Sequence, residues 1–219
     1  MGDSWSTTGN GSTLGLNNHA RIAADWMGIP MSSANAIGGT GIATPLVSGA
    51  PSTTTSYGAR IPDLAQMGGI DVLVVAHNTN DYSALVGGTL TNANYQTYVT
   101  TFLNNLRAAL PNTPIVFVTG ATTDETTTVT TTAEDNIAAI IAGMNAANDN
   151  RIAHVRTTKP ANGGRSWLFG TGNTGAVAGD GNRDYFIGTV QAAHANDNGH
   201  AYWGQREAPA IINAVLGMK

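Results

Sequence analysis

The chain has 219 residues, enough for one domain with a sizeable core. Its formal charge of −4, with only ten Lys plus Arg, argues against nucleic acid as a partner, because neutralising phosphates takes clustered cations. No apolar run reaches the roughly 18 residues of a membrane span, and the absence of cysteine excludes disulfides and thiolate metal sites.

In chain order, the first element is a helix between Leu14 and Met27. Ile22, Ala23, Trp26 and Met27 form its apolar stripe, and Gly28 supplies the stop. A short extended segment from Met31 to Ile37 runs into the glycine turn "IGGTG". Residues 43–68 read as loop, punctuated by "GAPSTTTSYGA". The continuous apolar run from Ile70 to Ala76 predicts a strand buried on both faces, as in a parallel sheet.

Tyr95, Tyr98, Val99, Phe102, Leu103, Leu106 and Leu110 make the clearest helix, closed by Pro111. "TPIVFVTG" is another buried strand. Thr131 and Glu134 have capping-box spacing ahead of a helix face built from Ile137, Ile140, Ile141 and Met144. "RIAHVRT" reads as a fourth strand. From Asn196 onward the tail is helical, with Pro209 either kinking it or opening a second segment.

Strands alternating with helices predict one α/β domain over residues 1–219, with a parallel sheet between two helical layers. In such sheets the chemistry gathers where loops leave the carboxyl ends of the strands. The Gly-rich segment 157–187 and the threonine tract 126–132 are too long for plain connectors. They read as segments that shape or cover a site, or, for the tract, as a tolerated insertion.

Four short blocks carry the chemistry: "GDSWS" before the first helix, "IGGTG", "HNTND" and, near the end, "HANDNGH". Taken alone, Ser4 is either a nucleophile or a helix cap. A serine at a helix N-terminus has backbone N–H groups beside it that steady an oxyanion. "GNGSTLG" lacks the Lys-Ser/Thr ending of a phosphate-binding loop and follows no strand, which argues against a nucleotide binder.

In this order, the four blocks resemble the SGNH (GDSL) family of esterases and lipases, over nearly the whole chain. The resemblance implies a three-layer, flavodoxin-like α/β/α sandwich. It makes Ser4 the nucleophile, with Gly2 permitting the turn and Asp3 a structural hydrogen-bonding residue. It assigns oxyanion donors to Gly39, or failing that Gly38, and to the side-chain amide of Asn80. Asn78 stands where the family usually has glycine. Losing one such donor lowers the rate by about 10²–10³-fold.

The family's last block makes His194 the general base and His200 a second, non-catalytic histidine. A rival register pairs Asp197 with His200 as acid and base. In the first register Gln191 stands at the acid position and Ala195 replaces a proline. Asp180 or Asp184 then reaches the imidazole from the long loop, or the site runs as a Ser–His dyad. Of the other histidines, His19 is expected at the surface, His154 as a hydrogen-bonded core residue, and His77 beside the pocket. No His/Asp cluster has metal spacing, so no cofactor is expected.

The resemblance also implies a central strand running into the "GDS" turn, yet only Met1 precedes it. That strand is missing or trimmed, or another segment fills its slot. The implied activity is hydrolysis of short-acyl carboxylic esters, with acetyl groups on carbohydrate favoured by the wealth of Asn, Thr, Gly and Trp/Tyr. The partner is then a small-molecule or carbohydrate ester. The alternative is a catalytically degenerate glycan-binding module of a phage tail or cell-surface assembly. With charged residues at only 11%, the surface suits an extracellular or virion protein as well as a cytosolic one.

Overall fold

The computed structural model describes residues 1–7, 18–31, 35–76, 79–119, 128–147, 149–158, 166–168, 181–182 and 194–218. Three parallel strands form the main sheet: β3 (Leu73–Ala76), β4 (Ile115–Thr119) and β5 (Ile152–Arg156), in that spatial order. A small antiparallel pair, β1 (Leu46–Val47) and β2 (Ala50–Pro51), lies outside it. Among the described residues the helices are α1 (His19–Met27), α2 (Ile61–Met67), α3 (Thr79–Val86), α4 (Asn92–Ala109), α5 (Thr128–Ala146) and α6 (Asp197–Leu216).

The period of two along a strand divides the core. Ile115 and Phe117 of β4 join Leu73 and Val75 in a cluster with Leu64 of α2, Val99, Phe102 and Leu103 of α4, and Ile137 and Ile141 of α5. Val116 and Val118 point the other way, into a cluster with Trp5, Val155, Trp167, Trp203 and Ile211. All five β4 residues are buried, which is why this strand shows no polar alternation. Full burial of an apolar side chain contributes about 1.5–3 kcal/mol, so this two-faced strand is the main anchor of the layers.

The slot beside β3 is taken by the first two residues. Gly2 makes parallel bridges to Ala36 on one side and Ala76 on the other. The N–H of Gly2 donates to Asn35 O at 3.1 Å, and Ala76 N–H donates to Met1 O at 2.9 Å. The Met1 amine donates to Val74 O at 2.9 Å, and burial pushes its pKa down to about 5. Two residues thus stand in the place of the central strand that the resemblance implies. An apolar cavity of about 390 Å³ is lined by Met1 together with, among others, Ala23, Met27, Leu64, Val72 and Ile211.

Several local expectations change. The stretch read as loop contains α2, where Pro62 near the helix start lacks only an N–H that the first turn does not use. α1 begins at His19, capped by the Asn18 side chain, which accepts from Arg21 N–H. α5 begins at Thr128, three residues before the expected box, so Glu134 is not its capping residue. Glu134 turns inward instead, fully buried, and accepts from Thr119 Oγ1, Thr157 N–H and Thr158 N–H, tying the carboxyl ends of β4 and β5 together. α6 passes through Pro209 without a break. Most of the Gly-rich segment and the first two residues of the threonine tract lie outside the described residues.

Candidate active site

Ser4 opens a single 3-10 turn, Ser4–Ser6, rather than an α-helix, so the expected dipole of a long helix is not behind it. Asp3 shapes this turn. Its carboxylate is fully buried and accepts from Trp5 N–H at 2.9 Å and from Thr79 N–H at 3.1 Å. That second bond attaches the turn to the start of α3. Asp3 is thus the hydrogen-bonding residue that the resemblance implies. Gly2 is glycine for a reason other than turn geometry: a β-carbon there would collide with the Ser6 side chain.

The loop after Ala36 closes over Ser4. A β-carbon on Gly38 would stand 3.6 Å from Ser4 Cβ, whereas Gly39 has a φ of +75° and open space around it. Asn80, in the first turn of α3, donates through Nδ2 to Thr40 O at 2.9 Å. An amide has two N–H groups, so one more donor is available to a ligand. Asp81 holds the far side of the loop. Its carboxylate is fully buried and accepts from the N–H groups of Ile42, Ala43 and Thr44 and from Thr44 Oγ1, at 2.8–3.1 Å. Burial lifts its pKa to about 6, although those donors pull the other way. A side chain at Gly41 would occupy the space of that carboxylate.

The imidazole that reaches the serine is His194. Its Nε2 lies 2.8 Å from Ser4 Oγ, across 190 residues of sequence. Ala195, next along, is buried in the second core cluster, and Asn196 caps α6 by accepting from Gly199 N–H at 2.9 Å. The position of His194 is therefore set by a helix start and a core anchor. His194 Nδ1 is buried and has no hydrogen-bond partner among the described residues. Burial lowers the His194 pKa, and the nearby Asp3 charge opposes that shift.

His200 and Asp197 lie further along. Asp197 is the first residue of α6. His200 is buried, and its Nδ1 accepts from His19 N–H at 3.2 Å. His19, expected at the surface, is fully buried: its Nδ1 lies 2.7 Å from Glu207 Oε2 and its Nε2 3.3 Å from Ser6 Oγ. His19 stands three and four residues before Ile22 and Ala23, in line with the apolar stripe of α1, so its spacing points inward; what the sequence does not show is its polar partners on α6 and on the turn around Ser4. His154 lies in β5, partly buried, with the expected hydrogen bond, its Nε2 2.7 Å from Thr119 Oγ1, and desolvation of the ring pulls its pKa down to about 3. His77, Asn78, Asp180, Asp184 and Gln191 fall outside the described residues. Among the described residues no group of three His, Asp or Glu side chains is close enough to hold a metal. Nor is any described helix long and apolar enough to cross a membrane.

No family model matches the sequence, and no curated protein does. Solved structures do. A family two carbohydrate esterase from Clostridium thermocellum, in complex with cellohexaose, superposes with a TM-score of 0.66 at 16% identity, over 99% of this chain and 63% of that one. An acetyl xylan esterase from the rumen bacterium Butyrivibrio proteoclasticus gives 0.64 at 12% identity, over 100% of this chain and 63% of that one. A GDSL-like lipase from Bacteroides ovatus gives 0.59 at 13% identity, over 97% of this chain and 95% of that one. The chain thus spans under two thirds of the carbohydrate esterases it matches. These neighbours are carboxylic ester hydrolases, and the fold they share with this α/β chain is that of the SGNH hydrolases.

Proposed function

We propose that the chain is a serine ester hydrolase that removes short acyl groups, acetyl on carbohydrate foremost, through an acyl-enzyme on Ser4. The observation that carries this reading is the 2.8 Å contact between Ser4 Oγ and His194 Nε2. Neutral His194 accepts the hydroxyl proton as Oγ attacks the ester carbonyl. The tetrahedral oxyanion is held by backbone N–H of the Gly38–Gly39 turn and the Asn80 amide. Collapse expels the alcohol, which takes the proton from His194. Water, deprotonated by the same imidazole, then attacks the acyl-enzyme and frees the carboxylic acid and Ser4. The Asp3 charge, which favours the protonated imidazole, does part of the work that an acid on Nδ1 does in a triad.

The substrate class draws on what the neighbours are: one carries cellohexaose and another is an acetyl xylan esterase. The test is to incubate the protein with a fluorophosphonate, which phosphonylates an activated serine. One equivalent on Ser4, with parallel loss of p-nitrophenyl acetate hydrolysis, is the expected result; no adduct on Ser4 removes the reading. The second reading, a glycan-binding module without turnover, draws on Gln191, an uncharged residue where the resemblance puts the acid. Glycan binding by a wild type that neither hydrolyses the ester nor takes the label would establish it.

Burial holds His194 below the usual 6.5, so its neutral form survives to lower pH than that of a free histidine. The rate should therefore be flat near neutrality and fall on the acid side, with a midpoint below 6.5. Asp81, titrating near 6, adds to the fall, because a protonated carboxyl accepts the loop N–H groups poorly. A pH–rate profile of kcat/KM checks this, and a midpoint above 6.5 contradicts it.

A further inference from the structure

We propose that Arg60 is the positioning residue of the oxyanion loop, holding the Gly38–Gly39 turn in register with the nucleophile; this rests on the hydrolase reading above. Arg60 ends the 3-10 turn Gly58–Arg60, and is only 3% exposed. Nothing in "YGARIPDL" marks it, since a lone arginine beside a glycine reads as surface. Its guanidinium reaches three segments of chain. Nη1 donates to Asn35 O and to Asn35 Oδ1, both at 2.8 Å. Nη2 donates to Thr40 Oγ1 at 3.0 Å. Both nitrogens also approach Gly2 O, at 3.5 and 3.4 Å.

Together these bonds fix both ends of one short stretch. Asn35 precedes the turn and Thr40 follows it, and Thr40 Oγ1 itself donates to Ile37 O at 2.7 Å, closing the turn from inside. Thr40 O accepts the Asn80 amide, so the same residue sets where both proposed donors stand. Gly2, two residues before Ser4, is held from the same guanidinium. One rigid planar fork thereby links the nucleophile turn, the glycine turn and, through Thr40, α3. A lysine offers a point charge on a flexible stem and cannot span these acceptors.

Arg60 is also a cation held away from water. Burial draws its pKa down, while Tyr57, Asp3 and Asp63 push it up through space. Among the described residues its hydrogen bonds go to carbonyl, amide and hydroxyl oxygens, and no carboxylate is bonded to it. A buried cation without a bonded counter-ion is costly to keep, and a glutamine or methionine would fill the space with a smaller desolvation penalty. What the cation supplies is several donors of fixed geometry, at the one place where the segments of the site meet.

The test compares wild type, Arg60→Lys, Arg60→Ala and Thr40→Val. It reads p-nitrophenyl acetate kinetics, thermal unfolding, and hydrogen–deuterium exchange over residues 36–44. Arg60→Ala should lower kcat about 10²-fold with KM changed less than about threefold, the signature of oxyanion donors moved out of place for the transition state alone. Arg60→Lys should stay within a few fold of Arg60→Ala, because one ammonium cannot replace the fork. Millimolar guanidinium should raise the Arg60→Ala rate at least about tenfold, and should do nothing for Ser4→Ala. Thr40→Val, which keeps Arg60 but cuts its hold on the loop, should lower kcat less and again leave KM nearly unchanged. Exchange over 36–44 should quicken about tenfold in both Arg60→Ala and Thr40→Val.

Folded Arg60→Ala with wild-type kcat overturns the proposal. So does a fall in kcat that guanidinium leaves untouched and Thr40→Val does not reproduce. Where Arg60→Ala fails to fold, Thr40→Val decides: unchanged kcat and unchanged exchange overturn the proposal. A wild type without ester turnover defeats the hydrolase reading alone, and the exchange over 36–44 then decides whether Arg60 holds the loop.

Discussion

Ser4→Ala should lower p-nitrophenyl acetate hydrolysis by about 10⁴-fold or more while leaving the melting temperature nearly unchanged. The two halves of that expectation have separate causes. The turn around Ser4 is held by groups that the substitution keeps: Trp5 N–H on Asp3 Oδ1, Ser6 N–H on Asp3 O, and Thr7 Oγ1 on Ser4 O. Alanine removes the hydroxyl's hydrogen bond to the half-buried His194, which costs about 1 kcal/mol or less. The chemistry has no substitute, because Ser6, two residues on, points its Oγ toward His19 in the buried interior. Kinetics and a thermal melt on the same two samples check both halves. Equal rates for the two proteins would show that ester turnover does not pass through Ser4.

Much of the fold could be read from residues because its signals are local. β4 is an unbroken apolar run, and it is buried at every position. α4 shows its stripe at helical spacing, and Tyr95, Val99, Phe102, Leu103 and Leu106 are the residues it buries. α2 escaped because seven residues, with a proline near the start and only Ile61 and Leu64 buried, have too little periodicity to outweigh the Gly and Pro around them. Its helix is stabilised by packing against the neighbouring core, which is not a property of the segment.

The site divides in the same way. Its backbone blocks are short motifs and could be located by their order, whereas what supports them could not. Asp81 accepts from three consecutive amides 37–39 residues away, and no pattern within "HNTND" points there. The His19–Glu207 pair spans 188 residues and joins two helices that each look like ordinary surface helices in sequence. Buried polar pairs of this kind share the spacing of the apolar face, Glu207 standing midway between Trp203 and Ile211, but nothing local names the distant group that satisfies each member. They are also what holds the segments carrying Ser4 and His194. The Ser6–His19–Glu207 chain ties the turn around Ser4 to α6, the helix that begins just after His194.

His194→Ala and His200→Ala should therefore fail in different ways. His194 is half-buried and its Nε2 bonds Ser4 Oγ, so alanine should cost little stability and about 10³–10⁴-fold in kcat. His200 is 1% exposed, and its Nδ1 satisfies the backbone N–H of His19 at the start of α1. Removing it leaves that donor buried without this acceptor and opens a cavity between α1 and α6, which should cost about 2–4 kcal/mol. The rate of the folded fraction should then fall far less than in His194→Ala. Measuring kcat well below each variant's melting temperature separates the two effects. The opposite pattern, a folded His200→Ala without activity beside an active His194→Ala, would transfer the base to His200 and with it the orienting role to Asp197. The 2.8 Å approach of His194 to Ser4 would then be a resting-state hydrogen bond and not the path of the proton.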